Sequence, residues 1–388
     1  MDLYIKFENN DGIKVGSLPF DEPSIITLGD DIIETDISEY LNIIGEDNKI
    51  NALPLNYSNA CKLLSISGND KLMIIPKQRL GIHFRDILRR LRNALCDIRN
   101  LDYLVTYMSI RKFLHGLSRA AVDREKLIQL IEKTDNSTVE GNLKSLLPDD
   151  SGDVSRINYT MSATSTGRLV VKSGPKILTA PAAARSCLKS RFVNGKILQI
   201  DIVSAEPKFA LHQASVEPPY DVYDHISKNI LDGSVTRKNV KMITLCALYG
   251  QSLKKLSKNL PPDIGARAVV RKTKEYFQHE SLLTKLKYDH SMGNFRNAIG
   301  RPLPVEDNRS HLLVSHYLQS STAEGSILMF SNFIETIGNK CIPLFVIHDA
   351  LIVDSDKETS EKFLKQGSVP LYLGDWKFEA SITLVSDS

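Results

Sequence analysis

The chain has 388 residues, 42% of them hydrophobic and 24% charged, with a formal net charge of +3. That is enough for a sizeable core and for two or three subdomains. No run of eighteen apolar residues occurs and the opening MDLYIKFENN lacks a secretory or transit leader, so a soluble, cytoplasmic protein with no membrane partner is expected.

The five cysteines (Cys61, Cys96, Cys187, Cys246 and Cys341) stand singly, which argues against structural zinc and against a disulfide framework. Charge is unevenly spread. Residues 1–50 carry twelve acids against three bases, whereas residues 76–125 hold eleven Lys or Arg against five acids. An acidic head on a basic body fits a body that meets a polyanion; a solvated helix face is the other reading of the same charges.

In chain order, residues 1–75 mix the short apolar runs IITL, LNII, LLSI and LMII with Asn, Asp and Gly, and read as a small β-containing domain. Residues 76–155 read as a basic helical region, with helical spacing from about Arg79 to Glu132 and a loop at LPDDSGD (147–153). Residues 156–388 mix strands and helices. KILQID (196–201) reads as a strand, followed by a helix with Pro207 in its first turn. TRKNVKMITLCALYG (236–250) reads as a helix closed by Gly250, and IPLFVIHDALIVDS (342–355) as two strands around a His-Asp turn.

Two aspartates draw notice by position. Asp201 ends an apolar strand and Asp349 sits at a hairpin tip, where a bare carboxylate must be hydrated, paired or metal-bound. Such a pair suits Mg²⁺, although singly each reads better as an ordinary strand-end or turn acid. On the helix at 236–250, Arg237, Lys241, Leu245 and Tyr249 recur every fourth residue and so share one face. Two cations, an apolar residue and an aromatic suit a triphosphate at one end and a base at the other; snorkelling cations on an amphipathic helix are the alternative.

Five segments then stand in a recognisable order: NYTMSATSTGRL (158–169), DIVSAEPKF (201–209), RKNVKMITLCALYG (237–250), GRPLP (300–304) with HLLVSHYLQSSTAEGS (311–326), and VIHDALIV (346–353). Over roughly residues 105–388 they resemble the family A DNA polymerases, the DNA polymerase I family. The first is similar to that family's T-x-T-G-R-L segment, the next two to its motifs A and B. The fourth is similar to its G-R-x-L-x-x-P and Q-G-T-A-A-D stretches, and the last to its motif C, V-H-D-E-L-V.

The resemblance implies an α+β right hand: an antiparallel-sheet palm, helical fingers and a short helical thumb beside the small N-terminal domain. It implies template-directed DNA synthesis, adding dNTPs to a primer 3′-hydroxyl on primer–template DNA. Asp201, Asp349 and the Ile202 carbonyl would bind two Mg²⁺ ions, with Mn²⁺ as a substitute. Arg237 and Lys241 would hold the triphosphate, with Lys241 a candidate acid towards pyrophosphate, and Glu206 would crowd a ribose 2′-hydroxyl. Ser204, Tyr223, Leu245 and Tyr249 would complete the nucleotide site, while Thr166, Arg168, Gln319 and His348 would touch the DNA.

Several positions depart from the family pattern. Leu245 replaces an aromatic ring, Ala350 a glutamate, Ser204 a glutamine, and Lys208 and His311 arginines. No D-x-E occurs in the first hundred residues, so no proofreading exonuclease is expected. The acidic head has no assignable chemistry: a reduced remnant, a docking module for a replication protein and packing for the palm all stay open. Two rivals remain: a single-subunit RNA polymerase-like enzyme, against which Glu206 speaks, and a catalytically silent DNA-binding replication scaffold.

Overall fold

The head of the chain contains a sheet of order β2-β1-β3-β4, made by β1 (Leu3–Glu8), β2 (Gly12–Ser17), β3 (Ile25–Leu28) and β4 (Asp31–Glu34). The structure is a computed structural model. It describes residues 3–8, 12–17, 25–28, 31–34, 37–46, 53, 55–66, 74–95, 97–250, 252–262, 264–304 and 310–387. Of the four apolar runs, IITL is β3, while LNII and LLSI fall mainly at the ends of α1 (Ile37–Ile43) and α2 (Leu55–Leu63); the first half of LMII lies outside the described residues. Next come α3 (Lys77–Leu95), which exposes Arg79, Arg85 and Arg89, and α4 (Ile98–His115).

Residues 1–112 and 300–302 form one compact unit; residues 113–299 and 303–388 form a second. Within the first, Tyr40 of α1 packs against Tyr103 and Tyr107 of α4, all fully buried. A buried ion pair joins Arg111 to Glu39 at 3.3 Å, and the Tyr107 hydroxyl donates to the same carboxylate oxygen at 3.2 Å. That extra bond matters, because a buried pair holds only when its remaining polar atoms are satisfied.

The helical spacing read over 79–132 is interrupted twice: between Leu95 and Ile98, and over residues 116–123. In the second break the Ser118 amide donates to the Pro343 carbonyl at 2.9 Å, and β5 (Ala121–Val122) pairs with residues 188–189. Long-range backbone partners outcompete helix continuation there. After it come α5 (Arg124–Glu132) and α6 (Ser137–Lys144), capped by the side chains of Asp123 and Asn136. The expected loop at 147–153 follows.

The second unit then runs through β6 (Asn158–Thr160), β7 (Val170–Ser173), α7 (Ala182–Arg185), β8 (Leu188–Lys189) and β9 (Lys196–Ile202). Helices follow: α8 (Ala205–Gln213), α9 (Val222–His225), α10 (Arg237–Tyr249), α11 (Leu253–Ser257), α12 (Ala266–Tyr276), α13 (His279–Ser291) and the 28-residue α14 (Ser310–Ile337). The chain closes with β10 (Cys341–Ile347), β11 (Ala350–Ser355), α15 (Lys357–Gln366), β12 (Ser368–Leu373) and β13 (Trp376–Asp387).

These strands build a five-stranded, wholly antiparallel sheet of order β10-β11-β9-β13-β12. Every residue of β11 is buried, which explains its unbroken apolar run. Its one carboxylate, Asp354, is satisfied by the Ser190 hydroxyl at 2.5 Å and the Arg191 amide at 2.8 Å. The α10 helix begins at Thr236, whose side chain accepts from the Asn239 amide, and ends at Gly250 with φ 68°, a left-handed conformation that favours glycine. Among the described residues no helix is long and apolar enough to cross a membrane.

Candidate active site

The sheet register brings the two aspartates together. Ala350 lies opposite Asp201 across the β9–β11 pairing, so Asp349 is its diagonal neighbour, and the Ile202 amide donates to the Asp349 carbonyl at 3.1 Å. Each acid has a non-glycine residue with positive φ close along the chain: Ser204 at 54°, three residues after Asp201 where β9 turns into α8, and His348 at 55°, immediately before Asp349 in the β10–β11 turn. Such conformations cost about 1–2 kcal/mol and persist only where the surroundings impose them. Beneath the hairpin, the buried Tyr159 hydroxyl donates to the Val346 carbonyl at 2.8 Å.

Burial, and then the neighbouring Asp349, push the Asp201 carboxyl up from 3.8 to about 6; Gln199, Lys241 and Arg185 pull the other way. The Gln199 side-chain amide donates to Asp201 at 3.1 Å and is itself held by Arg185 at 2.7 Å. Two like charges in a half-buried site call for a cation. Among the described residues no third His, Cys, Asp or Glu joins them. That donor set fits Mg²⁺, which accepts one or two carboxylates and fills its remaining positions with water and phosphate.

A cavity of about 230 Å³ opens beside Asp349, lined by Arg168, Leu169, Glu206, Gln319, Thr322, Ala323 and His348. Glu206, at the start of α8, has both carboxylate oxygens occupied: Arg168 bonds one at 2.8 Å and the Tyr249 hydroxyl donates to the other. Burial and then the Glu206 charge hold the Tyr249 phenol far above its ordinary range, so it stays a proton donor. Thr166 is buried in the turn before Arg168 and does not line the cavity. The Gln319 amide donates to Ser315 at 2.9 Å.

Along α10, Arg237 and Lys241 are exposed and Leu245 and Tyr249 half-buried, while Val240, Ile243, Thr244, Ala247 and Leu248 face inward. The four stripe residues therefore lie on the helix's open side, as their spacing predicts. Arg237 bonds Asp221 at 2.7 Å, and its guanidinium lies over the Tyr223 ring, 5.5 Å from the centroid. Tyr223 is itself buried. Lys208, where the resemblance expects arginine, is buried over the Tyr220 ring and pushed down to about 8, chiefly by that burial. The His311 side chain lies outside the described residues.

No family model matches the sequence, and no curated protein is similar to it. Among solved structures, the chain is similar to the POL domain of Pol1 from M. smegmatis, determined in complex with DNA primer-template and dNTP. The two share 13% identity with a TM-score of 0.61, over 90% of this chain and 81% of that one. The fold is that of a polymerase domain.

Within this polymerase-domain fold, reading residue by residue missed Asp221, Gln199, Arg185 and Tyr159. Only Asp221 carried a local signal: it follows Pro-Pro-Tyr and caps α9, accepting from the amides of Tyr223 and Asp224. Gln199 lies two residues before Asp201 on the same strand, whereas Arg185 and Tyr159 act across separations of 14 and 187 residues that no local pattern reveals.

Proposed function

We propose that the chain is a DNA-directed DNA polymerase that adds dNTPs to a primer 3′-hydroxyl on a template. What supports the reading is one convergence within a polymerase-domain fold. Asp201 near the end of β9 and Asp349 in the β10–β11 turn sit side by side, and Asp349 borders a cavity that Glu206, Arg168, Gln319 and His348 also line.

Asp201 and Asp349, with the Ile202 carbonyl, would hold two Mg²⁺ or Mn²⁺ ions. Such ions, when bound, favour the 3′-oxygen as nucleophile and stabilise the leaving pyrophosphate. Arg237 and Lys241, on the open side of α10, bind the triphosphate, and Lys241 donates a proton to pyrophosphate. Glu206, fixed by Arg168 and Tyr249, fills the volume a 2′-hydroxyl needs and so selects deoxynucleotides. Ser204, Tyr223 and Leu245 border the nucleotide; Arg168, Gln319 and His348 meet the primer–template, and the buried Thr166 supports the turn that carries Arg168.

Primer extension with dNTPs or NTPs tests this reading. The wild type should extend with dNTPs, and Asp201→Ala or Asp349→Ala should abolish extension while leaving primer–template affinity within about threefold, since neither carboxylate contacts DNA. Preference for NTPs would favour the RNA polymerase alternative, and DNA binding without extension by either would favour a silent scaffold.

A further inference from the structure

We infer that Asp221 is a positioning residue: it holds the Arg237 guanidinium by one edge so that the other edge faces the nucleotide's phosphates. The inference rests on the polymerase reading for the identity of the ligand. Its geometry stands independently.

Asp221 divides its two oxygens. Oδ1 accepts the amides of Tyr223 at 2.9 Å and Asp224 at 3.1 Å, with the Ser204 hydroxyl further off at 3.4 Å. Oδ2 accepts from Arg237 Nε at 2.7 Å and forms an ion pair with Nη2, also at 2.7 Å. The first set fixes the carboxylate to the start of α9, and the second fixes Arg237 to the carboxylate. Tyr223, two residues on, supplies the face against which the guanidinium lies.

An arginine has five N–H donors in a rigid fork. Asp221 takes the Nε–Nη2 edge, and Tyr223 covers one face. What remains is Nη1 and the outer side of Nη2, on a side chain still 52% exposed. A planar fork pre-oriented in this way loses less freedom on meeting phosphate than a loose side chain would. Burial raises the Asp221 carboxyl, but the bonds from Arg237 and the α9 amides outweigh it and leave it below its usual value, so the clamp stays ionised at neutral pH. The Ser204 hydroxyl ties the clamp to the turn that follows Asp201. Asp221 thus joins the strand-to-helix turn of one carboxylate to the first residue of α10.

The test is Asp221→Asn, which keeps an acceptor for the α9 cap but loses the charge; its one amide oxygen cannot serve both the cap and Arg237. Two quantities are read: the Kd for inorganic tripolyphosphate by calorimetry, and KM and kcat for dNTP in primer extension. Affinity should fall about tenfold and KM rise by a similar factor, with kcat within about twofold, the signature of lost ligand positioning. In an Arg237→Ala background, Asp221→Asn should change neither quantity further.

Unchanged affinity, or a loss equally large without Arg237, would overturn the inference, as would tighter binding, which would make Asp221 a competitor of phosphate. Failure of the wild type to bind tripolyphosphate overturns it too. The two readings separate cleanly. Weakened tripolyphosphate binding in a protein that never extends primers sinks the polymerase and leaves the clamp. Normal extension with an inert Asp221→Asn does the reverse.

Discussion

Gly325→Ala tests how tightly α8, which carries Glu206, is seated on α14. A Cβ at Gly325 would lie 2.5 Å from Phe209 Cζ, and 3.2 Å from both Phe209 Cε1 and Leu373 Cδ2. The Phe209 ring is fully buried, with Phe378 at 4.9 Å and Trp376 at 5.8 Å between centroids, so it has little room to retreat. Replacing glycine by alanine inside a helix favours folding by about 1 kcal/mol. Forcing a methyl into a filled core costs about 1–3 kcal/mol. Packing should win, for a net loss of about 0–2 kcal/mol.

The comparison variant is Gly141→Ala in α6, where a Cβ meets nothing within 4 Å and only the helix gain remains. Urea unfolding followed by circular dichroism should place Gly325→Ala below the wild type and Gly141→Ala above it, separated by about 1–3 kcal/mol. Phe209 is three residues beyond Glu206, so a displaced α8 should also raise the KM for dNTP. If Gly325→Ala stabilises as much as Gly141→Ala, the close approach of α8 and α14 does not exist.

Asp201→Asn should end primer extension yet stabilise the protein in chelator. The displacement from 3.8 to about 6 converts to about 3 kcal/mol at most, reduced to about 1–2 by solvent around a half-exposed carboxyl. Because the folded-state value is raised, this contribution to wild-type stability is fully present below pH 3.8 and is lost as pH rises through about 6. Thermal melts should therefore show the variant's advantage at pH 7 and little of it near pH 4; a difference independent of pH would contradict the assignment. Glu206→Ala should raise ribonucleotide incorporation in single-nucleotide kinetics, and an unchanged NTP/dNTP preference would remove Glu206 from that role. Leu245→Phe should lower the KM for dNTP by an amount equivalent to about 1 kcal/mol, and Leu245→Tyr should raise dideoxynucleotide incorporation. If neither moves, Leu245 does not face the nucleotide.

Local periodicity carried a large part of this protein. The strand that carries Asp201, the helix with Pro207 in its first turn, the α10 stripe and its Gly250 stop, and the hairpin around His348 and Asp349 each follow from spacings of two or four residues and from turn chemistry. The order of five short segments added the resemblance to a polymerase. What periodicity could not supply was competition from distant partners. Residues 116–123 have neighbours that favour helix, but the Pro343 carbonyl and residues 188–189 offered their backbone groups a better arrangement.

The site divides in the same way. The sequence by itself determined which residues carry charge at Asp201, Asp349, Arg237 and Lys241, because those positions follow from the periods of their own elements. Only the tertiary structure decided what surrounds them. Arg185 holds the Gln199 side chain that bonds Asp201, Asp221 grips Arg237, Tyr249 and Arg168 share Glu206, and Tyr159 supports a carbonyl 187 residues away. The physical reason is that a backbone period is set by neighbours along the chain, whereas the burial that moves a carboxyl and the partner that satisfies it are set by neighbours in space.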